Sequence, residues 1–218
     1  SFLDHLYFCF EYAVHHYPEQ SPLPALLHSI LGAGTNTFPM GPEKIPALKA
    51  LLSDSDWCQI EAFPSVLRLK YHGPMRRELW ANIDQLHKLK SVRMHRVIDN
   101  EPIEMSGEDF FVALNYQLIH LIDFLPTANW SVHQNDTSFI IFRDLYDLLS
   151  KGGQLNAQVG YTPAEPGRRL EGEELPGFLA AMATRIPVGL AEKLASKSIA
   201  RFSQKIGHSL DYTMTWQD

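Results

Sequence analysis

The stretch Gly107–Leu125 is apolar almost all the way round a helix. A helix of that kind has to be buried. Phe110, Leu114, Leu118, Leu121 and Leu125 fill one broad face, widened by Phe111 and Ile122. Val112, Ala113, Ile119 and Phe124 lie on the far side. Ser106 stands at the N-cap position with Asp109 at the third helical residue, a near capping box. Pro126 closes the segment. Such a helix must be wrapped by other elements, which points to a multi-helical fold. No apolar run in the chain reaches the roughly 18 residues that a membrane span needs.

The remaining segments supply the wrapping. Phe2–Tyr17 reads as a helix, with Leu3, Leu6, Phe10, Ala13, Val14 and Tyr17 in one apolar sector and Asp4, Glu11 and His15 opposite. Tyr17-Pro18 ends it. Pro22 and Pro24 open a short helix over Leu23–Leu31, stopped at Gly32-Ala33-Gly34. A third helix is expected over Pro42–Leu52. Ser53-Asp54-Ser55-Asp56 reads as a turn holding an N-cap. Val66–His72 alternates, with Leu67, Leu69 and Tyr71 against Arg68 and Lys70, and predicts a half-buried strand. Met75–Met94 predicts the longest helix. Phe139–Ser150 predicts another, and Phe178–Ile186 and Val188–Ile206 a pair broken at Pro187. Gln154–Tyr161 and Leu210–Trp216 alternate as strands do. The expected fold is predominantly α, about seven helices with one small antiparallel sheet, and α+β is the alternative class. Residues 1–218 are expected to form a single domain.

Composition excludes several function classes. Of the 218 residues, 45% are hydrophobic and 20% charged, which is too apolar for disorder. The formal charge of −6, with no basic stripe apparent along the sequence, argues against a nucleic-acid partner. Two cysteines, Cys9 and Cys58, are too few for a disulfide framework or a thiolate-built zinc site. Residues 1–17 lack the basic region and cleavage site of a secretory signal, so a cytoplasmic location is expected. The sequons at Asn129 and Asn135 carry little weight. Gly-rich phosphate loops, nucleophile elbows, HExxH, CxxC and Glu-x-x-His are all missing.

Chemistry must then come from scattered side chains. The chain carries ten histidines. Within the helix Gly107–Leu125, Tyr116, His120 and Asp123 line up at i, i+4 and i+7, beside Asn115. Asp123 would orient the His120 imidazole, the arrangement behind a histidine base or ligand. The ordinary reading of such a strip is a satisfied core network. Glu11 and His15 share a face one turn apart and could chelate a metal, though that face should meet water. His5 and Cys9 have the same spacing. Trp130, His133, Asn135, Asp136 and Arg143 form a polar, aromatic cluster after Pro126.

Two functions follow from this. The leading one is an interaction module without a cofactor (an inhibitor, immunity protein, adaptor or assembly subunit) that captures another, basic protein, with Glu171–Glu174 in its acidic surface. The alternative is an enzyme binding iron, another transition metal or haem, acting on a small apolar or aromatic substrate. His120 would be its ligand or base, and Glu11, His15, His28 and His87 candidates for the other positions.

Overall fold

Ser106 starts the element on which everything else is packed. Its hydroxyl accepts the Asp109 amide at 3.0 Å and donates to the Asp109 carboxylate at 2.7 Å, capping the helix Gly107–Ile122. The structure, a computed structural model, describes residues 2–32, 40–124, 137–160 and 187–217. In chain order the helices are α1 (Phe2–His16), α2 (Leu23–Leu27), α3 (Ile45–Lys49), α4 (Asp54–His72), α5 (Pro74–Ala81), α6 (Gly107–Ile122), α7 (Thr137–Lys151) and α8 (Val188–Lys205). Strands β1 (Leu89–His95), β2 (Pro102–Ser106) and β3 (Thr213–Trp216) form an antiparallel sheet in the order β2-β1-β3. The fold is predominantly α with this one small sheet. No helix among the described residues is long and apolar enough to cross a membrane.

α6 is buried on every side, as its composition requires. α4, α7, α1, α2 and the sheet all pack on it. Val92 faces Met105 on one side and Met214 on the other, and all three are buried. Gly107 sits where α6 leaves the sheet. A Cβ there would come 1.9 Å from the Leu89 carbonyl oxygen, so the close approach needs glycine. A smaller cluster of Leu31, Ile45, Trp57 and Ile60 lies beside the main core.

Four sequence expectations change. Val66–His72 is not a strand but the last two turns of α4, whose N-cap is Ser53. Arg68 and Lys70 imitated the polar half of an alternating strand, yet both are fully buried. Lys70 Nζ donates to Gln117 Oε1 at 2.7 Å, and an Arg68 Nη atom to Ser203 Oγ at 3.1 Å. Met75–Met94 is not one helix. It divides into α5, a 3-10 segment at Ile83–Lys88 and β1, because the Leu89–His95 backbone pairs with two other strands. The third helix is a 3-10 turn at Pro42–Lys44 running into α3. The expected strand after Gln154 is irregular over its described residues, although Ala157 and Val159 are buried. Its amides go elsewhere: Asn156 and Ala157 donate to Asn115 Oδ1, both at 2.9 Å, and Gln158 to the His16 carbonyl. α1, α6, α7, α8 and β3 lie where periodicity puts them. The expected helix Phe178–Ile186 falls outside the described residues.

α1 carries one further change, and it bears on function. The expected inward sector is rotated. Leu3 is 70% exposed and Val14 41%, whereas Cys9, Ala13 and Tyr17 are buried and His5 is half-buried. The stripe that meets α2 and α6 is therefore His5, Cys9, Ala13 and Tyr17, at four-residue steps.

Candidate metal centre

Three segments far apart in the chain bring histidines to one spot. His5 comes from the inward stripe of α1, His28 from the residue that ends α2, and His120 from the last turn of α6. Their ring centroids lie 5.1 Å (His5–His28), 4.9 Å (His5–His120) and 4.8 Å (His28–His120) apart, each pair edge to face. Cys9, one turn after His5, places its sulfur 3.8 Å from His5 Nδ1 and 3.9 Å from Nε2. The ligand atoms of His5, Cys9 and His28 all lie within 4.8 Å of one another. Phe63 and Phe124 wall the site.

Local folding sets the tautomers. His28 Nδ1 is 2.7 Å from the Ala25 carbonyl, which can only accept, so Nδ1 carries the proton. Nε2 is left with its lone pair, buried and without a hydrogen-bond partner. Asp123, the C-cap of α6, sets Oδ2 2.7 Å from His5 Nδ1. Nδ1–H donates to that carboxylate, and His5 Nε2 is freed as a donor atom. Metal-bound histidines are held in this way, with the second ring nitrogen bonded to a carbonyl or carboxylate. His120 Nδ1 is likewise buried with no partner.

The electrostatics match neutral ligands. Burial lowers the His28 pKa from the ordinary 6.5 to about 4, helped by His5 and Lys70 nearby. Burial pushes His120 well below its ordinary value, with His28, Lys70 and His5 adding to it. Burial and then the Asp123 charge push the Cys9 thiol up to about 12. At neutral pH His28 and His120 are uncharged imidazoles, and Cys9 is a protonated thiol.

Of the residues picked from sequence, His28 is in the ligand cluster, and His120 and Asp123 stand beside it, but not as a pair: the His120 ring meets His5 and His28, and Asp123 accepts from His5. Tyr116 is buried elsewhere. Its hydroxyl donates to the Ser21 carbonyl and its ring meets Tyr17 edge-on at 5.4 Å. Asn115 clamps the backbone, its amide nitrogen donating to the Phe111 and Gln154 carbonyls. Glu11 and His15 are exposed on the outer face of α1, and His87 is exposed in the 3-10 segment. None of the three joins the cluster. Trp130, His133, Asn135, Asp136 and Glu171–Glu174 lie outside the described residues. Cys9 and His5 gain their importance from the rotation of α1, and the signal for them in the sequence was the His-x-x-x-Cys spacing.

No protein-family model matches the chain, and no curated protein or solved structure matches it.

Proposed function

We propose that this chain is a metal-binding protein that holds zinc(II) through His5 Nε2, Cys9 Sγ and His28 Nε2, with the His120 ring packed against the two histidines. One observation carries the reading: the ligand atoms of His5, Cys9 and His28 converge, and the His28 Nε2 lone pair is buried with no other partner. A buried polar atom left unpaired costs about 1–3 kcal/mol, and a cation bound here would remove that cost at His28 Nε2. Two imidazole nitrogens and a thiolate suit a borderline ion such as zinc(II), and copper is the nearest competitor. Zn–N and Zn–S bonds of the usual lengths set tetrahedral donors roughly 3.3–3.6 Å apart. The present spread of 4.8 Å closes by about one ångström of side-chain movement. A centre on these donors would tie α1 to the end of α2, and its primary role would be to hold these segments in place. The leading function expected from sequence, capture of a basic partner with Glu171–Glu174 in the acidic surface, draws on residues outside the described structure.

The test is a competition titration of chelator-stripped protein with zinc(II), alongside cobalt(II) substitution. The reading expects one ion per chain, and a cobalt spectrum with tetrahedral d–d bands and thiolate charge transfer. Cys9→Ser should abolish the charge transfer. His28→Asn should weaken zinc binding at least about tenfold, the lower end of what loss of a shell around the metal costs. Zinc at about 100 times its dissociation constant should add about 2.7 kcal/mol to stability. Stoichiometric binding that persists unchanged in both variants, or no binding, overturns it.

A further inference from the structure

A second site lies on α8, away from the histidines. The helix buries Ala191, Ile199 and Ser203, and turns Lys193, Lys197, Arg201 and Lys205 outward at four-residue steps. That spacing puts the four cations on one stripe. The sequence showed no basic stripe because these residues are separated by apolar and small ones. Between the start of this stripe, the end of α4 and the start of α5 is a cleft of about 530 Å³, within the range of small-molecule sites. Arg77, Lys193, Lys197, His72, Ser196 and Gly189 are among its lining residues.

The charge in the cleft is unbalanced. Its one acidic lining residue, Glu192, is taken by Arg76 at 2.9 Å. Arg76 is further tied to Asp144 and to the Lys70 carbonyl, so it is a fixed wall and not a ligand-binding arm. Arg77, Lys193 and Lys197 are exposed, and none pairs with a carboxylate among the described residues. Arg77 lies across Gly73, whose φ is +99°. A Cβ on Gly73 would stand 3.0 Å from Arg77 Nη1, so glycine lets the guanidinium lie there. Gly189 adds the first-turn backbone of α8, where Pro187 provides no side-chain cap and the helix end carries partial positive charge. The cleft wall also holds an orphan, His72 Nδ1, buried with no hydrogen-bond partner. All this occurs in a chain of net charge −6, so it is a local concentration of cations and not general basicity.

We propose that this cleft binds a phosphorylated small molecule, with Arg77, Lys193 and Lys197 holding its phosphate groups beside the start of α8. Arginine supplies a planar fork and the lysines supply mobile charge, the combination that phosphate esters take. The volume exceeds what inorganic phosphate fills and leaves room for the organic part.

Inorganic pyrophosphate is the first probe, by calorimetry at physiological salt, followed by a sugar phosphate and a nucleoside monophosphate. The expected result is one pyrophosphate per chain with a dissociation constant below about 1 mM, and tighter binding by at least one of the organic phosphates. Lys193→Glu and Lys197→Glu, both at exposed positions, should weaken binding at least about tenfold, which is about 1.4 kcal/mol. Lys205→Glu, on the same stripe but beyond the cleft, should change it less than threefold. Pyrophosphate also chelates metals, so the titration is repeated on chelator-stripped and on zinc-loaded protein and should give the same affinity. Binding that appears only in the zinc-loaded protein would move the site to the histidine cluster and overturn the proposal. So would equal loss in Lys205→Glu, an absence of saturable binding, or a single-stranded oligonucleotide that binds more than tenfold tighter and depends on Arg201 and Lys205.

Discussion

Acid should unfold this protein earlier than its carboxylates alone would. His28 is 2% exposed and His208 5%, and each has its pKa lowered from 6.5 to about 4. Burial is the first cause in both; His5 and Lys70 add to it at His28, and Arg68 and His95 at His208. A group whose pKa is lower when folded binds its proton first in the unfolded chain. The stability it contributes is therefore complete above pH 6.5 and lost as pH falls toward 4. In that window each such histidine costs about 1.4 kcal/mol per pH unit, and the two together about 2.7. His120 shifts in the same direction and steepens the fall. From about pH 6.5 to about pH 4.5 the loss is about 5 kcal/mol, comparable to the whole stability of an ordinary domain. The assay is urea unfolding followed by tryptophan fluorescence at a series of pH values, with chelator present so that metal does not hold the histidines. His28→Asn keeps a donor for the Ala25 carbonyl, and His208→Gln keeps one for the His95 carbonyl. The double variant should lose most of the slope between about pH 6.5 and about pH 5, above the range where carboxylates titrate. An unchanged slope in the double variant, or a flat wild-type curve there, refutes the reasoning.

Three further outcomes follow from the packing. Gly107→Ala should destabilise the protein by about 3 kcal/mol or more, since the new methyl group meets the Leu89 carbonyl backbone and nothing flexible can yield; denaturant midpoints measure it. Asn115→Ala leaves the Asn156 and Ala157 amides without their acceptor and should cost about 2–4 kcal/mol, with faster amide exchange confined first to residues 154–158. Asp123→Asn should weaken zinc binding about tenfold or more by removing the carboxylate that orients His5, while leaving ion stoichiometry at one; an unchanged affinity would remove Asp123 from the centre.

The fold was legible wherever burial followed composition. α6, α7 and β3 bury or alternate their apolar residues in the ordinary way, and the caps at Ser53 and Ser106 are local chemistry that sequence displays directly. The failures share one cause. In α4 the charged residues Arg68 and Lys70 are buried because partners on α8 and α6 reach them. Period alone took them for a solvent face. At Leu89–His95, pairing with two strands overrode a helical pattern, since strand pairing is decided by residues remote in sequence.

The site was half legible for a related reason. A helix wheel places an apolar stripe inward on the assumption that what is buried must be apolar. On α1 the inward stripe instead holds His5 and Cys9, and Leu3 and Val14 face out. That arrangement leaves polar groups buried and apolar ones wet, which packing alone does not favour. α6 shows the same contrast within one helix. Asn115 and Gln117 spend their polar atoms on backbone carbonyls, backbone amides and Lys70, so their burial is accounted for by the fold. His120, one turn further on, has a buried nitrogen with no partner, and it faces His28, which has another. A polar strip that reads as uniform in sequence thus divides by partner. The satisfied end is structural, and the unsatisfied end is where a ligand would lower the free energy most.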